Sequence, residues 1–319
     1  MTAAAIGSLR CSAWARTVEL DPGGTAGSYS GFLLIDEQLP WPRDAGEIED
    51  IAGVADLLQG SGVRVQATVP AIAGRRTVSL YRNEAPGPFR GYEGRTIEFD
   101  EAEGAAGLRW AVSRLLAGEG APMGARRTVL VCTHGRRDVC CGALGTELHG
   151  LLSSTSLPVE VEVLRTSHTG GHRFAPTFIV LPEGTMWAFA DLQLAVRVLS
   201  RRGDPAAAAD HYRGCAGLLG PRLQVLEREV LRRAGWELFS CARSGFDGAG
   251  GPGSSGSAGD GSDGNGRVRL EVETPDGDVQ RWEARVVPGR QLPVPDCGRP
   301  LEEARKSETE WSVEDLRRI

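Results

Sequence analysis

A mixed α/β (α+β) fold is what the sequence predicts, on three observations. Strand-length apolar runs such as GFLLID (31–36) and TFIVL (177–181) recur along the chain. Between them lie longer stretches, among them 104–118, whose apolar residues return at helical spacing. Turn-forming clusters such as LPWPRD (39–44) and PEG (182–184) separate the two kinds of segment. The 319 residues leave room for about two domains. The 41% apolar and 24% charged content is that of a globular chain, and 43 glycines point to many loops.

In order, GFLLID reads as a buried strand, EIEDIAGVADLLQ (47–59) as a helix, and VRVQATV (63–69), TVSLY (77–81) and TIEF (96–99) as strands. Leu108, Trp110, Ala111 and Leu115 mark a helix over about 104–118, so residues 1–122 form an N-terminal mixed α/β region. From 123 to 243 the pattern is a strand ending on Cys132, a helix over 143–152, and a strand at 159–165. A proline-marked loop, strands at 177–181 and 185–190, and helices at 191–200, 205–218 and 221–233 follow. The order β, α, β, loop, β, β, α is that of a thioredoxin-like domain, and Pro176 before an apolar strand resembles the cis-proline turn of that fold. Residues 244–266 are glycine- and serine-rich and read as a flexible linker. RVRLEVETPDGDVQRWEARVV (267–287) alternates on both sides of a PDGD turn, giving a small C-terminal β-hairpin module, with one final helix expected in the tail 288–319. No internal repeat is visible at a period of 20–50 residues.

The net charge of −6, with both signs interspersed, offers no basic stripe for a phosphate backbone, so nucleic acid is not an expected partner. With no long apolar run and no signal-peptide pattern, a cytoplasmic protein with no membrane span is expected. Seven scattered cysteines are not a disulfide framework, and in a reducing compartment clustered cysteines point to metal or redox chemistry.

That chemistry concentrates in two segments, CTHGRRDVCC (132–141) and SHTGGHRFAPT (167–177). Two thiolates and two imidazoles suit zinc or an iron-sulfur cluster. The eight residues between Cys132 and Cys141 are too many for a tight zinc knuckle, while a 2Fe-2S core held by two ligands on each side accommodates the wider loop. These segments, with CSAWAR (11–16), GTAGSYSGFLLIDEQLPWPRD (24–44) and HYRG (211–214), resemble the sucrase/ferredoxin-like family, thioredoxin-like ferredoxins with mixed cysteine and histidine ligation. The resemblance implies one 2Fe-2S cluster bound by Cys132, Cys141, His168 and His172, with Cys140 in reserve for Cys141, and electron transfer to or from a redox partner protein. Whether the chain is an enzyme with its own substrate stays open.

An oxidised 2Fe-2S core carries about +2, so two thiolates and two neutral imidazoles leave the centre near 0, where adding an electron is less opposed than with four thiolates. His134 stands in a C-x-H with Cys132 but no C-x-x-H follows, so it reads as a hydrogen-bonding neighbour of the ligands. Arg136, Arg137, Asp138 and Arg173 read first as a solvated loop; alternatively, the cations stabilise a reduced centre and meet an acidic partner. Cys11, Cys215, Cys241 and Cys297, with His149 and His211, are isolated and read as structural or incidental. No G-x-S-x-G and no G-x-G-x-x-G opening a βαβ unit is present, so neither a hydrolase nor a built-in dinucleotide site is expected. Two other readings remain: a metal-free dithiol oxidoreductase using Cys132 with Cys140 or Cys141, and a zinc-stabilised interaction module.

Overall fold

The apolar runs GFLLID and RTVLVC become inner strands of one ten-stranded mixed sheet in a computed structural model that describes residues 10–83, 87–157, 160–248 and 267–319. The first half runs α1 (Cys11–Thr17), β1 (Gly31–Asp36), α2 (Glu49–Ala52), β2 (Val63–Thr68), β3 (Arg75–Arg82), β4 (Glu93–Asp100) and α3 (Gly104–Leu116). A two-residue β5 (Ala121–Pro122) leads into β6 (Arg127–Cys132), α4 (Val139–Ser153), β7 (Val161–Thr166), β8 (Phe178–Leu181), β9 (Thr185–Trp187) and α5 (Leu192–Ser200). Then come α6 (Pro205–Ala209), β10 (Tyr212–Cys215) and α7 (Pro221–Ala234). A second sheet is made of β11 (Ala242–Asp247), β12 (Arg267–Glu273), β13 (Val279–Pro293) and β14 (Ser307–Arg318).

The strand order β10-β9-β8-β6-β7-β2-β1-β3-β4-β5 contains the same unit twice. In one, β1 pairs parallel with β2 and antiparallel with β3, which pairs antiparallel with β4; in the other, β6, β7, β8 and β9 stand in the same relations. Each is the thioredoxin-like arrangement, so the N-terminal half repeats the topology expected of the second half alone. The units meet edge to edge where β2 and β7 pair at Thr68 and Thr166. All six residues of β1 and five of six in β6 are buried, as strands covered on both faces require.

Several local expectations need correction. The helix read over 47–59 is only Glu49–Ala52 between 3-10 turns, because Gly53 interrupts it and Asp44 caps a separate turn by accepting a bond from the Gly46 amide. The helix read over 205–218 stops at Ala209; Tyr212–Cys215 is claimed by the open edge of β9, with Gly214 at φ 135°. The final helix is absent: Ser307–Arg318 is β14, pairing antiparallel with β13 while Trp311, Val313 and Leu316 pack against the core. Period-two alternation at Thr309, Trp311 and Val313 with an open β13 edge beside it outweighs the helix-forming charged residues. Residues 244–247, read as linker, lie in β11; 249–266 fall outside the described residues.

The C-terminal sheet is docked onto the large one. Val268, Leu270, Val272, Trp282, Ala284 and Val286 join the main core, and Phe89, in the loop between β3 and β4, exchanges backbone bonds of 2.6 and 2.9 Å with Arg243 of β11. Among the described residues no helix is long and apolar enough to cross a membrane.

Candidate metal centre

Close approach of α4 to the end of β6 builds the site. A Cβ on Gly145 would sit 1.8 Å from the Cys132 carbonyl oxygen, and one on Gly142 would sit 2.5 Å from the Gly135 Cα. Only glycine fits at these contacts, which is why GALG (142–145) follows the cysteine pair. Asp138 caps α4, accepting a 2.9 Å bond from the Cys140 amide, so Cys140 and Cys141 occupy the first helical turn, where the helix dipole favours thiolates.

The loop after β7 brings the histidines. Gly170 and Gly171 take positive φ of 85° and 71°, and His172 begins a 3-10 turn, His172–Phe174. Arg213, 3% exposed, pins this loop by donating to the carbonyls of Gly170 (3.1 Å) and Thr25 (2.6 Å). A side chain on Gly171 would strike that guanidinium. The Ala175–Pro176 bond is cis, as the resemblance to the thioredoxin turn implies.

Among the described residues, two groups of donors could hold a metal ion, each with its ligand atoms within 4.8 Å of one another. The first is Cys132, Cys141 and His168, with His168 Nδ1 3.9 Å from Cys132 Sγ. The Cys141 thiol, and then His168, hold the Cys132 thiol well below its ordinary range despite burial, while Cys141 is pushed up by the same shared proton. The second group is Cys11, Asp138, Cys140 and Cys297. His172 lies between the groups. Its ring centroid is 5.8 Å from that of His168, and its Nδ1 is 3.2 Å from Asp138 Oδ2 and 3.4 Å from Cys11 Sγ. Burial raises Asp138, but the hydrogen bond and charge of His172, with the bonds from Cys297 and the Cys140 amide, together outweigh it and hold the carboxyl below its usual range.

The surrounding residues sort differently from the sequence reading. His134 is buried with both nitrogens engaged: Nε2 donates to the Pro42 carbonyl at 2.7 Å, and Nδ1 accepts from the His168 amide at 3.3 Å. It positions His168. Burial lowers its pKa. Arg136 and Arg137 are exposed, but Asp138 is a buried cap and Arg173 is a buried partner of Glu308 in β14, so neither belongs to a solvated loop. Cys11 and Cys297, read as structural or incidental, sit in the second donor group; Cys215 and Cys241 donate to backbone carbonyls elsewhere in the core. His211 bonds the Ala188 carbonyl at 3.0 Å and His149 lies 3.5 Å from Ser153 Oγ, both away from the site. The residue sequence reasoning missed is Arg213, for which HYRG was the available signal.

A cleft of about 570 Å³ opens beside His168, and Arg43, Arg64 and Arg137 are among its lining residues. A family model described as sucrase/ferredoxin-like matches residues 22–214, more than half of the chain. No curated protein and no solved structure matches it.

Proposed function

The chain belongs to the sucrase/ferredoxin-like family, and on that premise we propose that it is an electron-transfer protein whose 2Fe-2S cluster is held by Cys132, Cys141, His168 and His172. The observation that carries this reading is the meeting of Cys132, Cys141 and His168 within 4.8 Å at the joined ends of β6, α4 and β7, with His172 on the same loop. The donor set fits the group: sulfur and nitrogen, with both cysteines buried and the Cys132 pKa lowered by the Cys141 hydrogen bond. Bound there, the cluster supplies reversible one-electron chemistry.

The chain's own residues supply the rest. Gly142 and Gly145 let α4 come close enough to put Cys141 beside Cys132. Arg213, deeply buried and within Coulombic reach of both cysteines, places a positive charge behind the thiolates and fixes the glycine turn between the histidines. His134 holds the His168 backbone, and Asp138 accepts the Nδ1 proton of His172, fixing the orientation of that ring. The His172 side chain is 13% exposed, so the histidine edge is where electrons enter and leave. A redox partner protein with an acidic face would meet it over the cleft lined by Arg43 and Arg137.

The test is the composition of the full chain purified without oxygen. Two irons and two acid-labile sulfides per chain are expected, with visible colour and an EPR signal on one-electron reduction. Colourless, iron-free protein whose Cys132 and Cys141 interconvert with a disulfide under mild oxidants would instead support the dithiol oxidoreductase.

A further inference from the structure

Three cysteines that the proposed cluster does not use converge on one carboxylate. Cys11 comes from α1, Cys140 and its cap Asp138 from the start of α4, and Cys297 from the turn after β13. Cys297 Sγ lies 3.1 Å from Cys140 Sγ, 3.2 Å from Cys11 Sγ and 3.3 Å from Asp138 Oδ1, and Cys11 Sγ lies 3.5 Å from Asp138 Oδ2. Cys11 is 0% and Cys140 4% exposed. Two backbone amides already serve the group: Cys11 N–H donates to Cys297 Sγ at 3.3 Å, and Cys140 N–H donates to Asp138.

We propose that Cys11, Cys140, Cys297 and Asp138 form a second, closed metal site for one Zn²⁺, separate from the cluster. Zinc accepts thiolate sulfur at about 2.3 Å and carboxylate oxygen at about 2.0–2.2 Å in a tetrahedron, which sets ligand atoms roughly 3.5–3.8 Å apart. The sulfur–carboxylate separations already match to within about 0.2 Å, and the two sulfur–sulfur separations need to open by about 0.6–0.7 Å. A disulfide fits less well, because joining any two of the three cysteines leaves the third, and the Asp138 carboxylate, outside the bond. Three thiolates, one carboxylate and one zinc sum to about −2, and Arg43, Arg136, Arg137 and Arg299 line the small cleft over Asp138 and Cys297 to balance it. The site ties together the N-terminal helix, the C-terminal segment and the helix that carries Cys141. It also holds Asp138, the carboxylate that accepts the His172 proton. Its four ligands are not among the four proposed for iron, so the two assignments stand or fall separately.

Element analysis of the full chain, expressed with both metals available and freed of loosely held ions, reads both. One zinc per chain is expected. Cys11→Ser and Cys297→Ser should each lose it while keeping iron and sulfide, and Cys132→Ser should keep it while losing iron. Iron-loaded protein without zinc overturns this site and leaves the cluster untouched; zinc that survives both Cys11→Ser and Cys297→Ser also overturns it. Should the variants fail to fold, zinc X-ray absorption of the wild type decides. A shell of about three sulfurs near 2.3 Å with one lighter atom is expected, and a shell of nitrogen and oxygen alone refutes the assignment.

Discussion

Cys132→Ser is expected to strip the protein of iron, sulfide and colour. Cys132 is 0% exposed at the end of β6, its amide donates to the Thr177 carbonyl at 3.2 Å, and the hydrogen bond from the Cys141 thiol lowers its pKa. Serine preserves the backbone but offers a harder, more weakly acidic oxygen in a buried pocket where charge is costly. The loss should exceed the roughly 10–100-fold that follows removal of a residue merely hydrogen-bonded to a ligand. Cys141→Ser should behave alike. Cys140→Ser should retain iron, because the Cys140 sulfur is directed to Cys297, 3.1 Å away, and stands in the other donor group. Iron and sulfide assays on the three variants check this; iron kept by Cys141→Ser and lost by Cys140→Ser would reverse the assignment of the adjacent pair.

Arg243→Ala is expected to cost about 3–5 kcal/mol of stability, the effect typical of breaking one side of a buried ion pair. Arg243 and Glu227 are paired with side chains 1% and 0% exposed, and the Tyr212 hydroxyl donates to Glu227 at 2.8 Å. The guanidinium also lies 5.6 and 5.7 Å from the Phe89 and Phe239 ring centroids. Burial alone raises the Glu227 pKa and Arg243 is its main countercharge, so truncation leaves a carboxyl that must be protonated or stay charged without its partner. Urea unfolding should show a lower midpoint with an unchanged slope; a loss under about 1 kcal/mol would place this pair among ordinary surface contacts. The network is next to the site in sequence, since Tyr212 precedes Arg213.

The second thioredoxin-like unit was legible in the sequence because its strands are short, apolar and β-branched and its helices carry clear helical spacing. Its twin was not, because the crossover between β1 and β2 is broken by Gly53 and the 3-10 turns, so no helix pattern announces the unit. Cys132, Cys141, His168 and His172 stood out because paired thiols and paired imidazoles each lie close in sequence. Cys11 and Cys297 did not, since a separation of 286 positions leaves no local pattern to signal that they meet. Arg173 is a similar case: its burial depends on Glu308, in a strand where the sequence reading placed a final helix. Local spacing reveals ligand pairs; convergence of distant segments is a property of the folded core.

The central claim is that imidazole nitrogen and cysteine sulfur share one iron-sulfur core. Pulsed EPR of the reduced full chain tests it most directly, because nitrogen bound to iron gives hyperfine couplings that sulfur cannot. Couplings from two directly bound nitrogens are expected, one removed by His168→Cys and the other by His172→Cys. A reduced cluster without strong nitrogen coupling, or one whose spectrum is unmoved by both substitutions, would contradict the account.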